Sequence, residues 1–254
     1  EFDDTSGPSP LGLFERGLWG GVVMMGQAVL NTSSSTAGND ATNSFKYDVF
    51  EGLADNQING QYVYRFGGTN DADNSGVLQY VSIRHGGYVI TGNKELNGLS
   101  LCALGNGTTI DHVECYAIAD DGFEFFGGTV NTKYLVSAFN DDDCFDTDQG
   151  YRGKNQFWFA IQENGKRDNG GEWNGEPSGI AVSNAPYANF QVYNATWIGG
   201  GNASGAATNS NNGLFIREYS APRMYNSVLT DFNNTGGTIG CRMDANSGKM
   251  LTNG

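Results

Sequence analysis

Carboxylates recur in this chain at matching places within a repeated phrase. The phrase is a polar residue, Gly, then apolar, polar, apolar. It reads Asn97-Gly98-Leu99-Ser100-Leu101, then Asp121-Gly122-Phe123-Glu124-Phe125, then, with Cys in place of Gly, Asp143-Cys144-Phe145-Asp146-Thr147. Weaker copies follow at Asn169-Gly170-Gly171-Glu172-Trp173 and Asn212-Gly213-Leu214-Phe215-Ile216. The densest acidic run, Asp141-Asp142-Asp143 with Asp146 and Asp148 close behind, overlaps the third copy. Three kinds of chemistry suit such residues. Asn and Asp side chains cap turns by bonding to nearby backbone. Clustered carboxylate oxygens hold a hard cation such as Ca2+, with Asp141, Asp142, Asp143, Asp146 and Asp148 as candidate ligands, although the spacing is not that of an EF-hand loop. A carboxyl pair can also cleave a glycosidic bond, at about 5 Å separation with retention or about 6.5–9.5 Å with inversion. The candidates for that role are Asp121, Glu124, Asp142, Asp143 and Asp146.

Such acids need elements that bring them together. Helical periodicity is nearly absent, and short alternating or β-branched runs bounded by Gly, Asn and Asp predict strands. Between the copies of the phrase lies a second set of runs, Thr109 to Cys115, Lys133 to Val136, Gln156 to Ile161, Phe190 to Tyr193 and Met224 to Leu229, with Leu78 to Ile83 as an earlier member. Steps of about 24 and about 22 residues between copies are a solenoid signal. An antiparallel sandwich would show strands paired by tight hairpins, whereas these segments repeat in register, so the predicted fold is all-β, a right-handed parallel β-helix with long Gly/Asn-rich loops. Residues 1–74 are expected to open or cap the solenoid, and residues 75–254 to form its coils. Gly17 to Gly26 reads as an opening strand, Ser33 to Ser44 as a loop, and Asn164 to Asn184 and Gly199 to Asn212 as excursions between coils. Alternation places Phe123 and Phe125 inward and Glu124 outward. The same register sets Ser100, Glu124 and Asp146 on one outer face, one coil spacing of about 4.8 Å apart, with Glu172 extending the column. A second column holds Asn97, Asp121, Asp143, Asn169 and Asn212, and stacked like charges there require protons, cations or backbone N–H partners.

The 254 residues include 38 Gly and carry a net charge of -14, which disfavours a binder of nucleic acid because phosphate recognition rests on Lys and Arg. Hydrophobic content of 38% excludes a disordered chain, Gly without a three-residue period excludes collagen, and no apolar run is long enough for a membrane helix. The ends read as those of a processed or truncated piece of a longer product. Cys102, Cys115, Cys144 and Cys241 lack zinc-site spacing and leave two readings, disulfides in an exported protein or buried free thiols. His112 is expected to point outward from a strand rather than act in catalysis, and no nucleophile elbow or nucleotide loop is present. Trp158 and Trp197 read as core, whereas Trp173, in a polar stretch, is the expected exposed ring for a sugar face. Tyr151, Glu172, Arg152 and Lys154 complete the expected ligand-binding set.

Asp121-Gly122-Phe123-Glu124-Phe125 followed by Asn140-Asp141-Asp142-Asp143-Cys144-Phe145 resembles the paired-coil pattern of the polygalacturonase-like, pectin-degrading β-helices, over roughly residues 97–160. That resemblance implies that Asp121, Asp142 and Asp143 occupy the proton-donor and water-activating positions. The G-H-G motif of that family has no counterpart, and Arg152-Gly153-Lys154 follows the Asp pair too closely to serve as its R-x-K. Over more of the chain, Trp19-Gly20-Gly21-Val22-Val23, Asp73 to Val81, Glu95 to Leu99, Asp120 to Gly128 and Phe145 to Tyr151 are similar to exported bacterial β-helix repeat proteins. This likeness implies the fold and a secreted or cell-surface setting, and no particular reaction. Two functions are therefore expected: a noncatalytic binding or structural module for polysaccharide or a surface protein, Ca2+-stabilised and open to a larger assembly, or a polysaccharide hydrolase or lyase.

Overall fold

The computed structural model describes residues 12–31, 38–40, 45–92, 94–175, 185–201, 212–234, 237–238 and 240–248. The expected loop from Ser33 to Ser44 lies outside these residues except for 38–40, as do residues 176–184 and 202–211 of the two excursions. Helix among the described residues is a single turn at 245–248. Seven strands, Val22–Met25, Leu99–Cys102, Phe123–Phe126, Phe145–Asp148, Gly171–Asn174, Leu214–Arg217 and Cys241–Met243, stack in that order as one parallel sheet. A second parallel sheet begins with Val77–Arg84, Thr109–Tyr116 and Asn131–Ala138. It continues as two short strands per coil: Lys154–Gln156 and Phe159–Ile161, Gln191–Tyr193 and Thr196–Ile198, Arg223–Tyr225 and Val228–Thr230. From Leu99 onward the chain visits the two sheets alternately, so each visit adds a coil to a parallel β-helix. Gly17 to Gly26 does contain its opening strand, Val22–Met25, paired directly with Leu99–Cys102.

The Gly of the repeated phrase has a steric cause. It turns the chain into the first sheet where one coil lies hard against the next: a Cβ on Gly98 would meet the Gly122 carbonyl oxygen at 2.7 Å, and one on Gly170 would meet that of Gly213 at 2.6 Å. The apolar places of the phrase all face inward. Leu99, Leu101, Phe123, Phe125 and Phe145 are fully buried in one core cluster with Trp158 and Trp197. Coil spacing stacks Phe145 on Phe123 at 5.3 Å, and across the interior Phe145 meets Trp158 at 4.4 Å and Trp197 at 5.5 Å from the second sheet, centroid to centroid. Such pairs add to the burial of ring area.

The outer face of the first sheet is covered at its N-terminal end. Phe45–Val49 pairs antiparallel with Arg65–Phe66, and Leu30, Phe50 and Phe66 pack on the outward side chains of Cys102 and Phe126. Of the two cysteine readings, free thiols hold: Cys102, Cys115 and Cys144 are buried and unbonded, and Cys241 is exposed and unbonded. Cys102 sits under the outer cover whereas Cys115 and Cys144 lie in the inner core, so the wall of the solenoid separates them.

Phe145→Ala removes the ring at the centre of the interior stack. Urea unfolding is expected to show a loss of about 3–5 kcal/mol; a loss below about 1 kcal/mol would mean the rings do not carry the core.

Candidate functional site

Strand pairing sets Ser100 opposite Glu124, Glu124 opposite Asp146, Asp146 opposite Glu172, and Glu172 opposite Phe215. The acids of the phrase thus form one outward column on the first sheet. The turn residues form the second column through hydrogen bonds from coil to coil. The Asp143 amide donates to Asp121 Oδ1 at 2.9 Å, the Asn169 amide to Asp143 Oδ1 at 2.5 Å, and Asn212 Nδ2 to Asn169 Oδ1 at 2.7 Å. Turn capping therefore describes Asp121 and Asp143, each of which spends one oxygen on the backbone of the next coil.

Three groups of acids place carboxylate oxygens within 4.8 Å of one another among the described residues: Asp120, Asp121 and Asp142; Asp121, Glu124 and Asp146; and Asp142, Asp143 and Asp168. Asp121 and Asp142 each belong to two of them, so the groups run together along the sheet edge. Few cations answer them. Arg217 Nη1 meets Glu172 Oε1, and Lys94 meets Glu51 at 2.5 Å. Glu124 Oε2 instead accepts from Asn97 Nδ2, a neutral donor. Burial with so little counter-charge disfavours ionisation. Desolvation, then the Asp142 charge, pushes Asp120 up to about 7. Desolvation, then Glu172, pushes Asp142 up to about 6. Desolvation likewise raises Asp148 to about 7 and holds Asp121, Glu124, Asp143 and Asp146 well above the ordinary carboxylate range. An all-oxygen donor set short of cations fits Ca2+ in its chemistry. Asp121, Glu124 and Asp146 form the group that would hold it.

Two members of the expected metal set, Asp141 and Asp148, lie outside these groups. Asp141 turns to Lys166, with Oδ2 at 2.8 Å from Nζ, and Asp148 Oδ1 accepts the Gln149 amide at 2.6 Å; neither joins the three groups. Asp120 and Asp168 take part instead. They precede turn-column residues in the sequence, and each places a carboxylate oxygen within 4.8 Å of its neighbours'.

The structure does not bring the expected ligand residues together. Trp173 is 1% exposed and packs edge-on against Phe190 and Trp197. It occupies the fifth place of the phrase, which alternation turns inward, and that parity outweighs its polar surroundings. Tyr151 is fully buried, its hydroxyl 2.8 Å from both the Val130 carbonyl and Asn155 Oδ1. Arg152 is engaged by Asp71 at 2.8 Å, and Lys154 lies exposed on the second sheet, a different face of the solenoid. Glu172 alone remains beside the acids.

One exposed feature escaped the sequence reading. Tyr80, His112, Tyr134 and Phe157 form a stack on the outside of the second sheet, with centroids 4.7, 4.4 and 4.9 Å apart. All four have positive φ, between 52° and 61°, the left-handed region that L residues with bulky side chains seldom adopt. Aligning the second set of runs by their inward residues would have revealed the column. His112 points outward from its strand as expected, between two tyrosine rings.

The sequence matches the family described as pectate-lyase-like β-helix domain over residues 14–252. No curated protein and no solved structure matches the chain. With nearly its whole length matched, the chain belongs to the pectate-lyase-like β-helix domain family.

The raised carboxyls make a pH prediction for protein freed of metal by chelator. Unfolded carboxyls release their protons near pH 4, whereas Asp142, Asp120 and Asp148 do so near 6 to 7 in the fold. Between those limits the folded state binds more protons than the unfolded one, so stability falls as pH rises. Calorimetry should show a melting temperature at least about 5 °C higher at pH 5 than at pH 8, and Asp142→Asn with Asp148→Asn should flatten the difference. A melting temperature that climbs across that window contradicts the assignment.

Proposed function

We propose that this member of the pectate-lyase-like family is an exported polysaccharide-binding module that works without catalysis, its acidic face neutralised by Ca2+. The observation that carries the reading is the state of the two turn acids. Asp121 and Asp143 each hold a backbone amide of the next coil, which supports a structural role for both. A proton donor or a water-activating base needs a carboxyl free to exchange protons with substrate. One carboxylate oxygen from each of Asp121, Glu124 and Asp146 lies within 4.8 Å of the others, an arrangement suited to a cation. A cation there would bridge the acidic face to hydroxyl or carboxylate oxygens of a glycan. A surface protein in a larger assembly is the other occupant the face would suit, and binding to isolated saccharides separates the two.

At pH 7.5, CaCl2 is expected to raise the melting temperature and chelator to reverse the rise, by binding linkage. Glu124→Gln with Asp146→Asn should abolish the response and weaken binding on a polysaccharide array more than tenfold. A melting temperature indifferent to Ca2+ in the parent protein rejects the bound ion.

A second reading has its own observation. Asp120 and Asp142 stand within 4.8 Å of one another with values near 7 and 6, the pattern of a pair sharing a proton. Carboxyls so placed serve hydrolysis or lyase chemistry. The test is release of reducing ends or unsaturated sugars from a polysaccharide panel: activity in the parent protein, lost at least about 100-fold in Asp142→Asn, would replace the binding reading with an enzyme.

A further inference from the structure

Beside the acids lies a cleft of a different chemistry. It measures about 600 Å³ and is lined by Val23, Met25, Phe50, Leu53, Ile90 and Leu96, among other apolar side chains. Three parts of the chain build it. Val23 and Met25 are outward residues of the opening strand Val22–Met25. Phe50 and Leu53 come from the cover segment, and Ile90 from the antiparallel hairpin Val89–Thr91 with Lys94–Glu95. The hairpin rests on the cover at Gly52, where an added Cβ would touch Lys94 Cβ at 3.3 Å and Ile90 Cδ1 at 3.4 Å. The two walls are tied by the ion pair of Lys94 with Glu51.

The cleft and the acids share that ion pair as a border. Lys94 bonds to Glu51 and lies in the field of Glu124 and Asp120, so this side of the cleft is close to the carboxylates. Its neighbour Glu95 acts on both Asp120 and Asp142. Beneath the border the same outward column runs from Val23 on the cleft floor through Ser100 to Glu124, two coil spacings or about 9.6 Å away. Ser100 is fully buried, so a ligand spanning both parts would pass outside this column to reach the acids.

A space of this size is that of a small-molecule site. Its walls, Tyr64 apart, are apolar side chains that offer little to sugar hydroxyls, whereas the carboxylates next to it offer nothing to hydrocarbon. We propose that the ligand is a saccharide bearing an apolar substituent, an alkyl, acyl or aryl group, with the substituent in this cleft and the sugar against the acids. The assignment rests on the saccharide-binding reading above and adds the part of the ligand that the acids cannot recognise.

Matched methyl, octyl and 4-methylumbelliferyl glycosides of glucose, galactose, xylose and galacturonic acid test it by calorimetric titration in CaCl2. For at least one sugar, the octyl or umbelliferyl glycoside should bind at least about tenfold tighter than the methyl glycoside, as burial of a few apolar carbons gives. Which of the two gains more distinguishes a chain from a ring. Ile90→Trp and, separately, Leu53→Trp fill the cleft and should remove that gain while leaving the methyl glycoside's affinity and the melting temperature unchanged. Equal affinity of methyl and substituted glycosides overturns the cleft assignment and leaves the saccharide reading standing. A gain that survives in both variants overturns it as well. Should no glycoside bind, while the dye 1-anilinonaphthalene-8-sulfonate binds the parent and not Ile90→Trp, the saccharide reading has failed at the acids and the assignment falls with it.

Discussion

Parallel pairing at a fixed coil spacing is the constraint from which the rest of this structure follows. Each residue of a strand sits directly over its counterpart one coil away, about 4.8 Å distant. Any property placed at one position of the phrase is therefore multiplied along the axis. Inside, this favours the fold: Phe123 and Phe145 superpose as rings in contact, and Trp158 packs on Phe145 from the opposite sheet. At the turns it favours Asn and Asp, whose side chains take the amide of the next coil. On the outer face it opposes the fold, because Glu124, Asp146 and Glu172 are carboxylates set in register with no freedom to separate.

The molecule answers that repulsion in different ways along one column. Glu172 at one end is met by Arg217. Glu124, nearer the cover, takes a neutral amide from Asn97 and is 9% exposed. Asp146 lies between them with a backbone amide on one oxygen and carboxylates at 4.8 Å or closer. A buried like-charged column keeps its protons or acquires a cation, since separated charges in low dielectric are the costliest alternative. The cover segment deepens the problem by removing water, and it also creates the apolar cleft at its own edge. The acidic face thus comes from the register of the coils, and the cleft from the folding of residues 45–66 over the first sheet.

The second sheet shows the same multiplication with another residue type. A left-handed corner recurs at one position per coil, and the chain fills it with Tyr80, His112, Tyr134 and Phe157 before changing to Asn194 and Asn226. Asn is the side chain that this backbone conformation tolerates best. Rings at the same place touch ring on ring, and each such contact offsets part of the backbone cost. Inside the stack the faces are covered by one another and edges meet solvent, whereas Tyr80 at its end is 77% exposed.

Much of this was legible before any coordinates. The spacing of the phrase, its parity and its Gly determined the solenoid, the inward set of Leu99, Phe123 and Phe145, and the alignment of Glu124 with Asp146, because strand alternation and coil repeat are properties of the chain alone. The same parity should have turned Trp173 inward; polar neighbours misled, and its ring is core. Other matters only the tertiary structure decided. Asp120 and Asp168 entered the acid groups and Asp141 left them, since a carboxylate's company depends on which way a turn faces and which lysine lies across from it. The cover of residues 45–66 carries no repeat to betray it, and its contacts with Cys102 and Phe126 join positions far apart in the chain. Repetition can be read along a sequence; the closing of one segment over another is settled by the shapes that meet.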